Sequence, residues 1–282
     1  RDFNNLKMEI TISRDVLLKS LSNAYGIIEK KTTLPILSNI LLEANGSKIK
    51  ITSTDLDIIY SEEIPLLELK KEGSTTTSAS ILYDILRKLE PDSKIELSLK
   101  NENKLNLVSG NSKFNLLCIA SDNFPLLEED FKQTTFEVAP RNLLKLLNKS
   151  KISISNDETR HYLNGIYLHK TTSQNKSFLT GVATDSHRLS SSSLEINSNT
   201  EFEPIILPKK TIFQLISLLE QNTNDIKISN NKSKIKFEIG SGILISKVID
   251  GRFPDYSKVI PTENDKTLQV KLNDFKNSIE RV

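Results

Sequence analysis

The chain has 282 residues, of which 37% are apolar, so it is long enough to form two domains with substantial hydrophobic cores. Its 38 basic and 36 acidic residues leave a net charge of +2, which excludes a protein that grips nucleic acid with its whole surface. The single cysteine, Cys118, excludes an internal disulfide and fits a reducing compartment.

The hydropathy of the chain and its first residues indicate the cellular compartment in which we expect it. No apolar run approaches the roughly 20 residues of a membrane span, and no signal peptide is visible, so we expect a soluble, cytoplasmic protein. The only methionine is Met8, where the first strand pattern begins. Residues 1–7 are therefore interpreted as an N-terminal remnant or extension.

A strand-like pattern followed by an amphipathic helix recurs along the chain. In the helical parts, Leu17, Leu21 and Ala24 fall on one face. Pro140 and Pro208 stand where a helix would start. The copies of this module occupy residues 9–24, 75–90, 135–150, 203–220 and 267–282.

Two further runs, residues 94–121 and 225–251, alternate apolar and polar positions with Asn, Gly and Ser at the breaks. Each run predicts three antiparallel strands joined by tight turns. A Phe-Pro pair follows each run, at Phe124-Pro125 and Phe253-Pro254, so two modules make one larger domain. We therefore predict an α+β fold of tandem domains, each with two sheet-plus-helix modules and its helices on one face. The predicted domains are residues 8–132, residues 133–257 and an incomplete third domain at residues 258–282.

The predicted helices carry more positive charge than the rest of the chain. Counted over the five helical segments the charge is +6, which leaves −4 for everything else. A basic helix face suggests attraction to an anionic partner such as nucleic acid. The alternative is that Lys and Arg are simply good helix formers on solvated faces.

Residues 183–190, ATDSHRLS, place an acid, a hydroxyl, an imidazole and a guanidinium side by side. A hydrolase built on Asp185, Ser186 and His187 needs its nucleophile within reach of its base, yet adjacent residues of a strand point to opposite faces. The structural alternative is that Asp185 and Arg188 form a capped or ion-paired turn. The sequence has no Gly-rich phosphate loop, and its three histidines lack metal-ligand spacing, so we predict no catalytic residue, metal or cofactor.

Five segments, taken in order along the chain, carry a resemblance to a known family. They are TTLPILSNILLEA (32–44), TSTDLDIIY (52–60), RHYLNGIYL (160–168), ATDSHRLS (183–190) and VIDGRFPDYSKVIP (248–261). In this order, and on this internal repeat, they resemble the bacterial DNA polymerase III β subunit family, the sliding clamps.

The resemblance implies three copies of the two-module domain in each subunit and a head-to-tail homodimer ring, with helices lining the hole and sheets outside. Such a subunit is a non-catalytic processivity factor that encircles double-stranded DNA without reading its sequence. Family members continue beyond the position that matches Val282. We therefore expect this chain to lack most of its third domain and not to close the ring.

The resemblance also implies a hydrophobic pocket for short linear peptides carried by the DNA polymerase III α subunit, the clamp loader and repair polymerases. Ser186 stands where the family usually has glycine, and Lys258 where it commonly has arginine, which is not equivalent at a stacked site. Because the far wall of the pocket belongs to the third domain, we expect weak peptide binding. The matching residues are Leu163, Thr184, Ser186, His187, Arg188, Leu189, Pro254, Lys258 and Val259.

For DNA, the resemblance implies phosphate contacts from the helices and from the mouth of the channel. Asp157 stands where an uncharged polar residue is usual, which argues against a contact there, and for each lysine the alternative is a solvated side chain. The candidate DNA-binding residues are Lys19, Lys31, Arg87, Lys145, Lys149, His161, Tyr162, Lys209 and Lys210. The candidate dimer-interface residues are Ile81, Ile85 and Leu89, for which a place in the core is the alternative.

Two alternatives to a sliding clamp follow from the same sequence. One is a shortened clamp-like module that binds partner peptides without encircling DNA. The other is the hydrolase described above. A closed dimer in solution, or retention on circular but not linearised DNA, would distinguish a clamp from the module.

Overall fold

The computed structural model divides the chain into two compact units, Arg1–Gly251 and Arg252–Val282. The first unit contains two copies of the predicted architecture, named here the first repeat (residues 8–127) and the second repeat (residues 135–251). The residues that the structure describes are 7–29, 32–101, 103–127, 131 and 135–282.

The described part of the first repeat contains two α-helices, and both lie where the apolar periodicity predicts them. They are α1 (Arg14–Tyr25) and α2 (Ala79–Lys88). Its strands are β1 (Met8–Ser13), β2 (Asn39–Asn45), β3 (Lys48–Thr54), β4 (Ile58–Pro65), β5 (Glu68–Lys71), β6 (Gly73–Ser78), β7 (Lys94–Asn101), β8 (Lys104–Ser109) and β9 (Ser112–Ile119). The predicted triple-stranded run is β7 to β9.

The second repeat follows the same order of elements. Its helices are α3 (Pro140–Ser150) and α4 (Lys209–Glu220), and a 3-10 segment covers Glu158–Leu163. Its strands are β10 (Phe136–Val138), β11 (Gly165–Ser173), β12 (Lys176–Thr184), β13 (Leu189–Ile196), β14 (Ile205–Pro208), β15 (Ile226–Asn230), β16 (Lys234–Ile239) and β17 (Gly242–Lys247). The second predicted triple-stranded run is β15 to β17.

A continuous antiparallel sheet joins the two repeats. Strand β17 pairs with β4, so that Gly242 lies opposite Glu62 and Ser246 lies opposite Ile58. The larger sheet has 13 strands in the order β10-β15-β16-β17-β4-β3-β2-β6-β9-β8-β7-β1-β5, and the smaller has the order β13-β12-β11-β14. Because ladder hydrogen bonds cross the junction, the two repeats form one compact unit.

The helices pack on the sheets through their apolar faces. Leu17 and Leu21 of α1 are fully buried, and so are Leu146 and Leu147 of α3 to within 1% exposure. Burying one such side chain stabilises the fold by about 1.5–3 kcal/mol. Helix α1 packs against α2 and α3 packs against α4, so each repeat has one helix pair.

The second unit contains a 3-10 segment, Tyr256–Val259, and helix α5, Leu272–Glu280. Helix α5 lies where the last copy of the module predicts a helix. Along the residues that the structure describes, no helix has the length and apolar character needed to cross a membrane.

Candidate functional site

The stretch that raised the question of catalysis forms a tight turn between β12 and β13, named here turn two (residues 184–189). The Asp185 carboxylate holds it closed: Oδ1 accepts the backbone N–H groups of His187 and Arg188, both at 3.0 Å. Its Oδ2 accepts Arg188 Nε at 3.0 Å. These backbone amides, and then the Arg188 guanidinium, lower the pKa of Asp185 to about 2. The ion-paired turn expected as the structural alternative is confirmed.

Turn two does not bring a nucleophile to a base. Ser186 and His187 lie in the turn and not on a strand, and Ser186 adopts a left-handed backbone with a φ of 78°. Its hydroxyl accepts a hydrogen bond from Arg160 Nη1 at 2.6 Å. Both residues lie in the described part of the chain, and no hydrogen bond joins them there. This geometry argues against the hydrolase interpretation.

Arg160 ties turn two to the 3-10 segment beside it, and the sequence analysis did not single it out. Asp157 caps that segment, accepting from the Thr159 backbone N–H at 2.9 Å and from Arg160 Nε at 2.8 Å. Hydrogen bonds from Thr159, followed by that from Arg160, lower the pKa of Asp157 to about 2. The signal for this link was present in the sequence as an Asp-x-x-Arg spacing, but nothing local identifies Ser186 as the second partner of Arg160.

The first repeat contains the same turn, named here turn one (residues 54–58). Asp55 Oδ1 accepts the backbone N–H groups of Asp57 at 3.0 Å and Ile58 at 2.7 Å. The Thr54 hydroxyl donates to the Ile58 carbonyl at 2.8 Å, as the Thr184 hydroxyl does to that of Arg188. A Thr-Asp turn is therefore part of the repeated fold, so its acid and hydroxyl have a structural use in both copies.

The predicted peptide-pocket residues divide between the two units. In the first unit, Thr184 and Leu189 are half-buried, Ser186, His187 and Arg188 are exposed on turn two, and Leu163 is only 2% exposed. In the second unit, Pro254, Lys258 and Val259 are exposed at or beside the 3-10 segment, where Lys258 pairs with Asp255 at 3.3 Å. Turn two and the Leu163 segment are brought together through Arg160.

Most of the predicted DNA-binding cations are exposed on the helices. Lys19, Lys145 and Lys149 are exposed, and none of them forms an ion pair with a residue that the structure describes. Arg87 lies over the Tyr83 ring at 5.5 Å. Lys209 Nζ donates to the Asn156 side chain at 2.6 Å. Lys31 falls outside the described residues.

Lys210 is turned toward the first repeat. Its ammonium contacts the Asp55 carboxylate of turn one, donates to the Ile27 carbonyl at 3.1 Å and lies 3.7 Å from Glu29. These acceptors compete with any phosphate, so the position of Lys210 counts against the predicted DNA contact.

His161 and Tyr162 lie in the 3-10 segment. His161 Nε2 donates to the Asp250 carbonyl at 3.1 Å, and its ring meets that of Tyr162 edge to face at 5.9 Å. His161 is exposed and Tyr162 is half-buried. The pair is thus held beside the end of the second repeat, with the imidazole reaching solvent.

The predicted dimer-interface residues lie on α2 and, for Leu89, at its C-terminal end. Ile81 is 53% exposed, whereas Ala79, Leu82 and Leu86 are the residues of α2 that lie in the core. Ile85 and Leu89 are half-buried against that core. A core location is therefore excluded for Ile81 and partly applies to the other two.

The described residues contain no group of three or more His, Cys, Asp or Glu side chains placed to hold a metal ion.

Comparison with known proteins places these elements in a family. Residues 8–128 match the family described as DNA polymerase III beta subunit, N-terminal domain, and residues 137–255 match its central domain. The chain is 36% identical over 277 residues to the beta sliding clamp of Caulobacter vibrioides, and 31% identical over 274 residues to that of Escherichia coli K12. These alignments cover 98% and 97% of this chain and 74% of each relative.

Solved structures show the same likeness. A crystal structure of the Caulobacter crescentus beta sliding clamp superposes with a TM-score of 0.94 at 36% identity, covering 98% of this chain and 73% of that one. The Bartonella birtlesii sliding clamp bound to griselimycin superposes with a TM-score of 0.92 at 38% identity, covering 98% and 74%. The chain thus spans about three quarters of the length of these relatives.

Proposed function

The chain belongs to the DNA polymerase III β subunit family, the β sliding clamps, and from this premise we propose that it is a sliding-clamp subunit. In this role it tethers the replicative polymerase to double-stranded DNA in the cytoplasm, as a processivity factor without catalysis of its own. The observation that carries the proposal is the row of exposed cations on helix α3 of the second repeat.

Helix α3 carries Arg141, Lys145 and Lys149 at intervals of four residues, all exposed on one face. Four residues of helix rise about 6 Å, so the three charges form a stripe along the axis. Like charges at this spacing destabilise a helix by a few tenths of a kcal/mol for each pair. A phosphate backbone relieves that repulsion and needs no base contact, which suits a protein that slides.

The first repeat supports the same function less strongly. Arg14 of α1 is occupied by Asp15 at 2.7 Å and by the Leu86 carbonyl at 2.7 Å. On these two helices, Lys19 of α1 and Arg87 of α2 remain as predicted DNA contacts. We therefore assign most of the attraction to DNA to the second repeat.

The test is salt-dependent binding of the full chain to double-stranded DNA. A Lys145→Gln, Lys149→Gln double variant should reduce the slope of log affinity against log salt by roughly 2, since each phosphate contact contributes about 0.9. Lys100→Gln on strand β7, also exposed, is the matched control and should leave the slope unchanged. Equal salt slopes for both variants and the parent chain would show that the α3 lysines do not contact DNA, and the proposal would lose its support.

A second measurement addresses encirclement. Retention on circular but not linearised DNA supports a closed clamp. Equal retention on both, or on neither, favours the alternative of a clamp-like module that binds partner peptides without encircling DNA.

For partners, we propose that turn two forms part of a site for short peptides of the DNA polymerase III α subunit, the clamp loader and repair polymerases. The exposed Ser186, His187 and Arg188 support this role, because Asp185 and Arg160 hold their backbone in one conformation before any ligand arrives. Homodimerisation through Ile81, Ile85 and Leu89 also remains a proposal, supported by the exposure of Ile81.

A further inference from the structure

The second repeat contains a cavity of about 400 Å³ at the seam between its two sheets. The chain leaves β17 at Lys247 and crosses toward the edge of β14. The backbone N–H of Val248 donates to the Ser233 carbonyl at 3.0 Å, and that of Ile249 donates to the Ile206 carbonyl at 2.9 Å. Residues 248 and 249, named here the crossing segment, therefore make one backbone hydrogen bond to each side. The space between the two sheets stays open beside them.

The floor of the cavity is apolar. Ile205 and Ile206 are 3% and 2% exposed, and the half-buried Tyr167, Val248 and Ile249 surround them. Its volume lies in the range of small ligand sites, which combine an apolar lining with a few polar groups. The floor therefore suits a single large apolar group.

The rim of the cavity is basic. Its charged residues are Lys232, Lys234, Lys247 and Asp250, three cations against one anion, for a net charge of +2. Lys247 Nζ lies 3.1 Å from the Asp57 carboxylate, but these side chains are 46% and 74% exposed, and an exposed pair of this kind is weak and exchangeable. The rim therefore favours a ligand whose apolar group is flanked by negative charge.

We infer that this cavity binds an acidic peptide segment of a partner protein. One large apolar side chain of the segment occupies the floor, and the carboxylates on either side of it meet the exposed Lys232 and Lys247 at the rim. Nucleic acid offers the negative charge without an aliphatic group for the floor, whereas an acidic peptide supplies both. This site is separate from turn two, none of whose residues lines the cavity, and it does not depend on the proposed clamp function.

The test uses the full chain with labelled isoleucine and leucine methyl groups, followed by NMR. The first peptide is Ac-Glu-Asp-Leu-Asp-Glu-NH2, its uncharged control is Ac-Gln-Asn-Leu-Asn-Gln-NH2, and its control without the apolar side chain is Ac-Glu-Asp-Gly-Asp-Glu-NH2. We expect saturable shifts of the Ile206 and Ile249 methyl groups with a Kd of roughly 1 mM or below. Each control peptide should bind at least about tenfold more weakly.

A variant pair separates the cavity from general charge attraction. Lys232→Glu at the exposed rim should weaken the first peptide by at least about tenfold, and Lys100→Glu on exposed β7 makes the same charge change elsewhere and should have no such effect. The inference is overturned by an absence of saturable shifts, by equal effects of the two variants, or by binding of the uncharged peptide as tightly as the acidic one. Shifts confined to Leu163 and Leu189 would place the peptide at turn two and the adjacent 3-10 segment, and would also overturn the inference.

Discussion

Leu56 and Ser186 adopt the same left-handed backbone conformation, with φ angles of 80° and 78°, at the same position in two copies of one turn. Each follows a Thr-Asp pair whose side chains make equivalent hydrogen bonds to the turn. The copies differ in what meets the second carboxylate oxygen. Lys210 of the other repeat contacts Asp55, whereas Arg188 of the same turn contacts Asp185. Turn one thus contacts the second repeat through Asp55, whereas turn two exposes Ser186, His187 and Arg188 to solvent.

The ionisation of Asp185 provides a first prediction. Its folded pKa, about 2, lies below the ordinary value of 3.8, so this group stabilises the fold above the ordinary value and loses that contribution as pH falls toward 2. A carboxyl-detected NMR titration should give a midpoint near 2. Arg188→Gln should raise that midpoint only in part, because the backbone amides of the turn are the larger cause. An ordinary pKa in the parent chain, or a complete return to 3.8 in the variant, would contradict this account.

The left-handed backbone at Ser186 provides a second prediction. Ser186→Ala keeps the unfavourable φ and removes the acceptor for Arg160, so it should lower the free energy of unfolding by about 1 kcal/mol. Ser186→Gly also removes the acceptor but relieves a left-handed conformation that costs a non-glycine residue about 1–2 kcal/mol, so it should be close to neutral. Urea unfolding measures both. Equal destabilisation by the two changes would show that the left-handed backbone at residue 186 does not affect the free energy of unfolding.

Lys210 provides a third prediction, which separates a junction contact from a DNA contact. Lys210→Met should lower the free energy of unfolding by about 1–3 kcal/mol, because it leaves the Asp55 carboxylate, which is only 6% exposed, without its cation. It should leave the salt slope of DNA binding unchanged. Lys209→Met, one residue earlier, is the control for stability because Lys209 bonds within its own repeat. A fall in the DNA slope for Lys210→Met would restore Lys210 as a phosphate ligand.

A fourth prediction concerns the packing at the β4–β17 junction. A Cβ added at Gly242 would lie 2.6 Å from Tyr60 Oη, and this hydroxyl donates to Glu62 at 3.1 Å. Gly242→Ala should therefore lower the free energy of unfolding by about 1–3 kcal/mol. Adding Tyr60→Phe removes the hydroxyl and should recover part of that loss. If the double variant loses more free energy of unfolding than the two single variants lose together, the clash with the Tyr60 hydroxyl is not the cause.

The buried hydroxyl of Tyr60 adds a spectroscopic measurement at the same junction. Burial, and then the negative charge of Glu62, raises the pKa of Tyr60 above its ordinary value of 10. The neutral form is therefore favoured in the folded chain, so tyrosinate formation at this residue should be delayed to a pH above its ordinary pKa of 10. Glu62→Gln should shift its ultraviolet titration back toward lower pH. A titration of Tyr60 at its ordinary pKa would indicate that the junction is open to solvent.

The sequence by itself determined the repeated module and the four α-helices described in the first unit, and it offered the turn held by Asp185 as one of its alternatives. Each of these depends on neighbours a few residues apart: apolar residues at helical spacing, alternating strands, and a carboxylate that accepts the amides two and three residues later. The family resemblance also followed from the sequence, because it rests on five short segments in a fixed order.

Only the tertiary structure decided which charges are available and where the sheets leave space. Lys210 and Asp55 are 155 residues apart, and Lys247 and Asp57 are 190 apart, so no local pattern indicates either contact. The same holds for Arg160 with Ser186 and for the cavity at the seam of the second repeat. These features arise where strands from distant parts of the chain meet, and their positions depend on the pairing of β17 with β4 and of the crossing segment with β14.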